Sequence, residues 1–189
     1  MKVISITGGV GSGKSEVLKI LKDEYDAEII IADQVAHQLM KQGMEGYRQV
    51  VALFGPACLA ENREIDRKKL ADLLFSDKEK VEKVNSIIHP MAWQAIKEQI
   101  AVSGRKLIVV EAALFDEVHN AMFDEIWYIY TTVDNRISRL MKSRGYSKEK
   151  SLEIMGNQAT EEEFRALADH VIDNNGSVEQ IRTQLKDIL

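Results

Sequence analysis

Apolar residues recur along this chain in two rhythms. Short, nearly unbroken apolar runs at Val3–Ile6, Ala27–Ala32, Leu107–Leu114, Glu125–Thr131 and His170–Ile172 predict five strands. Strands covered on both faces read in this way, as continuous hydrophobic runs. Between them, apolar residues return every three or four positions and predict helices. These cover Ser15–Lys22, then residues 34–42 and 45–53, parted at Gly43. Asp66 should cap a helix that turns Leu70, Leu73 and Leu74 inward. Lys78–Ile88 forms another, and His89-Pro90 opens a long helix to about Val102, with proline in the first turn. Asp134 should cap a helix that Gly145 ends after Arg144; Lys148–Asn157 and Glu161–Ala168 follow, and Ser177 caps the last. Strand alternating with helix predicts an α/β fold, a parallel sheet with helices on both faces and ligands at the carboxyl ends of the strands. That rim carries Gly8–Ser15, Asp33, the Glu111–Phe115 segment and the Asp173–Gly176 turn.

The first strand–helix junction reads GGVGSGKS, with Gly8, four residues, then Gly13, Lys14 and Ser15. This matches every fixed position of a phosphate-binding loop. Successive backbone N–H groups must point inward at phosphate oxygens, in conformations that glycine adopts without strain. Gly8, Gly9, Gly11 and Gly13 supply them. Lys14 places a charge on the outer phosphates and the Ser15 hydroxyl ligates Mg²⁺. The following helix adds the positive end of its dipole.

At 189 residues, 45% hydrophobic, the chain builds one domain, with room for a small inserted lid. A net charge of −5 argues against broad nucleic-acid binding, which needs a basic footprint. Cys58 is the single cysteine, which fits a reducing compartment such as the cytoplasm. No apolar run reaches membrane-spanning length, and the N-terminus reads as the first strand rather than a signal peptide.

Other residues carry two readings each. Asp33, after a buried strand, is a general base or orienting group for an acceptor hydroxyl, or else the N-cap of the next helix. Glu111 is a carboxylate holding Mg²⁺ through water, or a satisfied strand-end charge; the residues alone favour the second. Arg136 and Arg139 share a helical face with Lys142 and Arg144 beyond. They could close over a transferring phosphoryl group, though nearby acidic residues favour an ordinary solvated face. His89 reads more simply as a cap or packing residue than as a ligand, because no second His or Cys lies at ligand spacing. Trp93, Trp127 and Tyr128 read as core.

Taken together, ITGGVGSGKS, IIADQVAHQL, IIHP, EAALFD, NQAT and VIDNNG resemble the dephospho-coenzyme A kinases, in the same order and over essentially the whole chain. The resemblance implies a P-loop kinase of the nucleoside-monophosphate-kinase type. Its core would span about 1–33, 104–135 and 168–189, with a substrate-side helical region at about 34–103 and a lid at about 136–157. It implies ATP and dephospho-CoA as partners, Mg²⁺ as metal, phosphorylation of the ribose 3′-hydroxyl, and most simply a monomer. Carried onto this sequence, Gly8, Gly9, Gly11, Ser12, Gly13, Lys14, Ser15 and Glu16 bind ATP. Asp33 approaches the acceptor hydroxyl, His89 binds substrate, Arg139 acts from the lid, and Asn174, Asn175 and Gly176 sit beside adenine. Four family positions differ: Ile31 stands where many members have Asp, and His37, Ser143 and Ile154 where they have Arg. Arg144 or Lys142 then stands in for the lid cations. A kinase for another nucleotide and a non-catalytic nucleotide switch are the alternatives; no NKxD-type guanine-reading stretch supports the switch.

Overall fold

The structure is a computed structural model that describes residues 1–75, 77–112 and 120–189. In chain order the elements are β1 (Lys2–Thr7), α1 (Lys14–Tyr25), β2 (Glu28–Ile31), α2 (Ala32–Leu39), α3 (Glu45–Phe54), a short 3₁₀ turn (Gly55–Cys58), α4 (Arg67–Leu74) and α5 (Lys78–Val102). Then come β3 (Leu107–Glu111), β4 (Glu125–Tyr130), α6 (Val133–Arg144), α7 (Lys148–Gly156), α8 (Glu161–Leu167), β5 (His170–Asp173) and α9 (Val178–Ile188). The sheet is five-stranded and parallel, in the order β2-β3-β1-β4-β5. β1 is central: Ile4 lies opposite Val109 of β3 and Glu125 of β4, and Ile6 opposite Glu111 and Trp127. Strand order therefore reverses across β1, and in open α/β sheets a ligand crevice forms at such a switch point. The loop after β1 opens there.

Backbone contacts divide the chain into two compact units, Met1–Ile29 with Ser103–Leu189, and Ile30–Val102. In the first unit one sheet face presents Ile4, Ile6, Val109, Trp127, Ile129 and Ile172 to Val17, Leu18 and Leu21 of α1 and Ile181 and Leu185 of α9. Each fully buried aliphatic side chain of this kind contributes about 1.5–3 kcal/mol. On the other face Tyr128 stacks on Phe164 of α8, their ring centres 5.0 Å apart. Helices thus cover both faces, as the apolar runs predict. The second unit has its own core, Val50, Cys58, Leu70, Val84 and Ile88.

Local signals were good guides to several helix ends. Asp66 accepts from the amides of Lys68 and Lys69, Ser177 forms a capping box with Gln180, and Gly145 closes α6 at φ 65°. Elsewhere tertiary context moved the boundaries. Lys78–Ile88 and the helix expected from His89-Pro90 are one continuous helix, α5, with Pro90 inside it. Proline inside a helix costs about 3 kcal/mol. Here the buried stripe Val84, Ile88, Ala92 and Ile96 runs straight through, while Pro90 itself is exposed. Asp134 is not the cap of α6; Thr132 is, and Asp134 lies in the first turn. Asn175 Oδ1 accepts the Thr132 amide and sets the helix start two residues earlier. β2, expected to be buried, is an edge strand in which Ile30 alone is buried. α2 follows it at once, from Ala32. Ala113 and Leu114, expected at the end of β3, and the rest of the EAALFD motif to Asp116 lie outside the described residues.

Candidate functional site

The loop between β1 and α1 is held in shape by residues from four distant parts of the first unit. Gly13 is the N-cap of α1 in a left-handed conformation, φ 87°, and as a glycine it brings no side-chain cap to the helix N-terminus. A first turn left this way is a ready anion site. Glycine is needed at Gly13 twice over, because a Cβ there would also strike Asn174 Nδ2. A Cβ on Gly9 would strike the Arg136 guanidinium.

The Ser12 carbonyl is the focus of the bracing. Arg139 NH1 donates to it at 2.9 Å and Asn174 Nδ2 at 2.8 Å, with Thr131 Oγ1 also at 2.9 Å. Arg139 NH2 reaches on to the Asn174 carbonyl at 2.7 Å. At the loop tip Arg136 Nε donates to the Val10 carbonyl at 2.8 Å. Burial works against the Arg136 charge and lowers its pKa, but its fork meets two acceptors, Val10 O and Gln158 Oε1. The face bearing Arg136 and Arg139 is therefore not the ordinary solvated surface that neighbouring charges suggested. Ile137 and Leu140 of the same helix are buried.

Lys14 Nζ donates to Gly8 O at 2.7 Å and lies 3.5 Å from Glu111 Oε1, each side chain 18% exposed. Of the two readings of Glu111, the paired strand-end charge is the one this geometry carries. It brings the carboxylate to the loop lysine all the same. Ser15 and Glu16 are exposed in the first turn of α1. Among the described residues no cluster of three His, Cys, Asp or Glu side chains could hold a metal. A donor set as small as the Ser15 hydroxyl suits Mg²⁺, which takes one or two protein oxygens and completes its shell with phosphates and water.

The DNNG turn does two jobs. Asn174, 5% exposed, faces the loop. Asn175 and Gly176 line a pocket of about 590 Å³ with Asp173, Gln180, Thr183 and Gln184. Gln184 fixes its floor, accepting from the Asp173 amide and donating to the Asp173 carbonyl.

Asp33 and His89 belong to the second unit. Asp33 is exposed in the first turn of α2, whose N-cap is Ile31 with no side-chain bond, so Asp33 is not a cap. His89 is exposed on α5, which packs against α2. Trp127 and Tyr128 are buried, as expected of core residues, and Trp93 is half-buried. Two residues of the loop's support had no assigned role in the sequence: Gln158 could have been found from its place in NQAT, whereas nothing marked Thr131. Arg136, weighed with Arg139 as a phosphoryl-closing cation or a solvated charge, instead braces the loop backbone.

Comparison with known proteins agrees along the whole length. A family model described as dephospho-CoA kinase matches residues 2–180. A dephospho-CoA kinase of Carboxydothermus hydrogenoformans is 38% identical over 193 residues, covering 100% of this chain and 93% of that relative. Among solved structures, TT1252 from Thermus thermophilus has a TM-score of 0.84 at 28% identity, covering 99% of this chain and 95% of that one. A dephospho-CoA kinase from Campylobacter jejuni has a TM-score of 0.68 at 25% identity, covering 99% and 97%.

Proposed function

The chain belongs to the dephospho-CoA kinase family, an enzyme phosphorylating dephospho-CoA with ATP in coenzyme A biosynthesis, and on that premise we propose which residues perform the transfer. The observation that carries the assignment is Lys14, held at Gly8 O beside the glycine-capped N-terminus of α1. ATP lays its outer phosphates along Gly8, Gly9, Gly11, Ser12 and Gly13, and Lys14 turns from Gly8 O and Glu111 to the phosphoryl group as charge builds there. Its adenine lies by Asn174, Asn175 and Gly176. Mg²⁺, held by Ser15 Oγ and phosphate oxygens, supplies charge neutralisation when bound.

Asp33 orients the ribose 3′-hydroxyl of dephospho-CoA and accepts its proton as the oxygen attacks the γ-phosphorus; ADP leaves with the bridging oxygen. His89 helps bind that substrate. Arg139 supports the phosphates from behind the loop, and residues 136–157 close over them to exclude water. The reaction runs in the cytoplasm, on a monomer, where a buried unpaired thiol such as Cys58 stays reduced.

One experiment tests this reading. The protein is incubated with ATP, Mg²⁺ and a panel of acceptors comprising dephospho-CoA, nucleosides and nucleoside monophosphates, and the product is located by phosphorus NMR. The expected product is coenzyme A, phosphorylated at the 3′ position. A 2′-phosphate, or faster turnover of another acceptor, would overturn the acceptor assignment.

A further inference from the structure

The peptides of the phosphate loop alternate in what they are bonded to. The amides of Val10 and Ser12 are spent inside the protein, on Gln158 Oε1 at 2.9 Å and on Gly9 O at 3.1 Å. The carbonyls of the same two residues meet α6. Arg136 Nε donates to Val10 O at 2.8 Å, and Arg139 NH1 to Ser12 O at 2.9 Å. Asn174 Nδ2 adds a second donor to Ser12 O at 2.8 Å. The next amide in each case belongs to a glycine, Gly11 or Gly13. Among the described residues neither of these two amides has an acceptor.

Peptide geometry links these facts. Among the described residues no peptide is cis, and in a flat trans peptide the C=O and the following N–H point opposite ways. With Val10 O and Ser12 O turned back to α6, the Gly11 and Gly13 amides face away from the arginines, toward the side where the loop reading places ATP. Glycine is needed at Gly11 as it is at Gly13: φ is 77°, and a Cβ would stand 2.9 Å from Arg136 O. Three residues of α6 rise about 4.5 Å, which lets Arg136 and Arg139 reach carbonyls two residues apart in the loop. Both arginines are half-buried, so salt and water screen them less than surface charges.

We propose that Arg136 and Arg139 act on ATP without touching it. Each draws charge toward one loop carbonyl and so strengthens the amide at the far end of the same peptide, Gly11 N–H or Gly13 N–H, as a donor to the departing ADP. Hydrogen bonds in series polarise one another, and a guanidinium is a stronger donor than a neutral group. During transfer the acceptor oxygen bonds to the γ-phosphorus, its proton passes to Asp33, and the bond from the γ-phosphorus to the bridging oxygen breaks. The electron pair stays with ADP, so negative charge grows on the β-phosphate, which the backbone amides of such a loop cradle. Arg136 and Arg139 are positioning residues here, and the groups that meet phosphate are the two amides. The inference rests on the reading of this loop as the ATP site.

The test follows the Gly11 and Gly13 amide resonances of the nitrogen-15-labelled chain, without nucleotide and with ADP and Mg²⁺, in wild type, Arg136→Met and Arg139→Met. Steady-state kinetics are measured on the same samples. Arg136→Met should move the Gly11 amide upfield and leave Gly13 in place, and Arg139→Met should do the reverse. Each should lower kcat by roughly 10–10²-fold, less than the 10²–10³-fold that deleting a whole preorganised donor costs. KM for ATP should change less than kcat does. Arg136→Lys and Arg139→Lys should show the same pattern at smaller amplitude, and they carry the test should a Met variant fail to fold. The inference is overturned if both resonances move together in each variant, the mark of a brace that only holds shape. It is also overturned if kcat falls while neither resonance moves, or if a resonance moves while kcat holds. Failure of the loop reading looks different: ADP would then leave both resonances in place in wild type, and the inference would fall with it.

Discussion

Gln158 Oε1 accepts the Val10 amide at 2.9 Å, across 148 residues of sequence, and the same oxygen accepts Arg136 NH2 at 2.9 Å. One side-chain oxygen thus ties the tip of the phosphate loop to the segment that follows α7. Gln158→Ala leaves both donors without that acceptor. It should cost about 1–3 kcal/mol and raise KM for ATP about tenfold, because the loop loses its fixed shape. Gln158→Glu keeps an acceptor, so it should melt like wild type while its added charge still weakens ATP binding. Thermal denaturation together with KM for ATP checks this; an Ala variant unchanged in both would dismiss the tie.

Lys14→Ala removes the charge placed on the outer phosphates. Turnover should fall on the order of 10²-fold or more, the usual loss for a single preorganised electrostatic donor. Far-ultraviolet circular dichroism should be unchanged, since Lys14 lies at the rim and not in the core. Near-normal turnover in a folded variant would exclude the loop as the catalytic centre.

Asp33→Asn separates basicity from shape. Asp33 caps no helix and is exposed, so the melting temperature should hold. If the carboxylate takes the acceptor proton, kcat should fall by roughly 10²–10⁴-fold with KM for ATP little changed. A rate within a factor of two of wild type would remove Asp33 from the reaction.

Arg139 spans Ser12 O and Asn174 O with two nitrogens of one planar group. Lysine keeps the charge but cannot hold both at once, so Arg139→Lys should reduce turnover about tenfold. Hydrogen exchange over residues 136–157 should slow when an ATP analogue binds with Mg²⁺. Most of the change should lie in 145–157, because Ile137 and Leu140 already bury the preceding helix. Unchanged exchange together with wild-type turnover of Arg139→Lys would eliminate both the closing segment and the brace.

Glu125 should give stability a clear acid limb. Burial raises its pKa, but the Lys2 ion pair at 2.9 Å, the Trp127 Nε1–H bond at 2.8 Å and the nearby His170 outweigh burial and lower it. With the folded pKa below the unfolded value of about 4.3, the contribution is complete above that pH and fades as pH falls through the folded pKa. Glu125→Gln should therefore lose about 1 kcal/mol at pH 7, and the gap to wild type should narrow as pH falls below the unfolded value of about 4.3. Urea denaturation at pH 7 and pH 3.5 measures it; a gap that widened in acid would reverse the sign.

What the amino-acid sequence determined by itself is whatever a dozen neighbouring residues can settle. The five strands were legible because each carries a short apolar run, buried along most of its length in β1, β3 and β4 and at one residue in β2 and β5, and the phosphate loop because its backbone needs glycine at stated positions. The caps at Asp66, Ser177 and Gly145 were legible because each acts within one turn. What only the tertiary structure decided depends on partners far along the chain. Spacing could not tell whether Arg136 and Arg139 face water or the loop, since their main-chain acceptors lie 35 to 128 residues away. Nor could it show that α5 runs through Pro90, where a packed stripe outweighs a missing donor, or that Asn175 starts α6 at Thr132. The strand order that puts β1 at the switch point is likewise invisible to local periodicity, because every buried parallel strand reads alike until its neighbours are known. Local chemistry wrote the loop, and long-range packing chose what holds it.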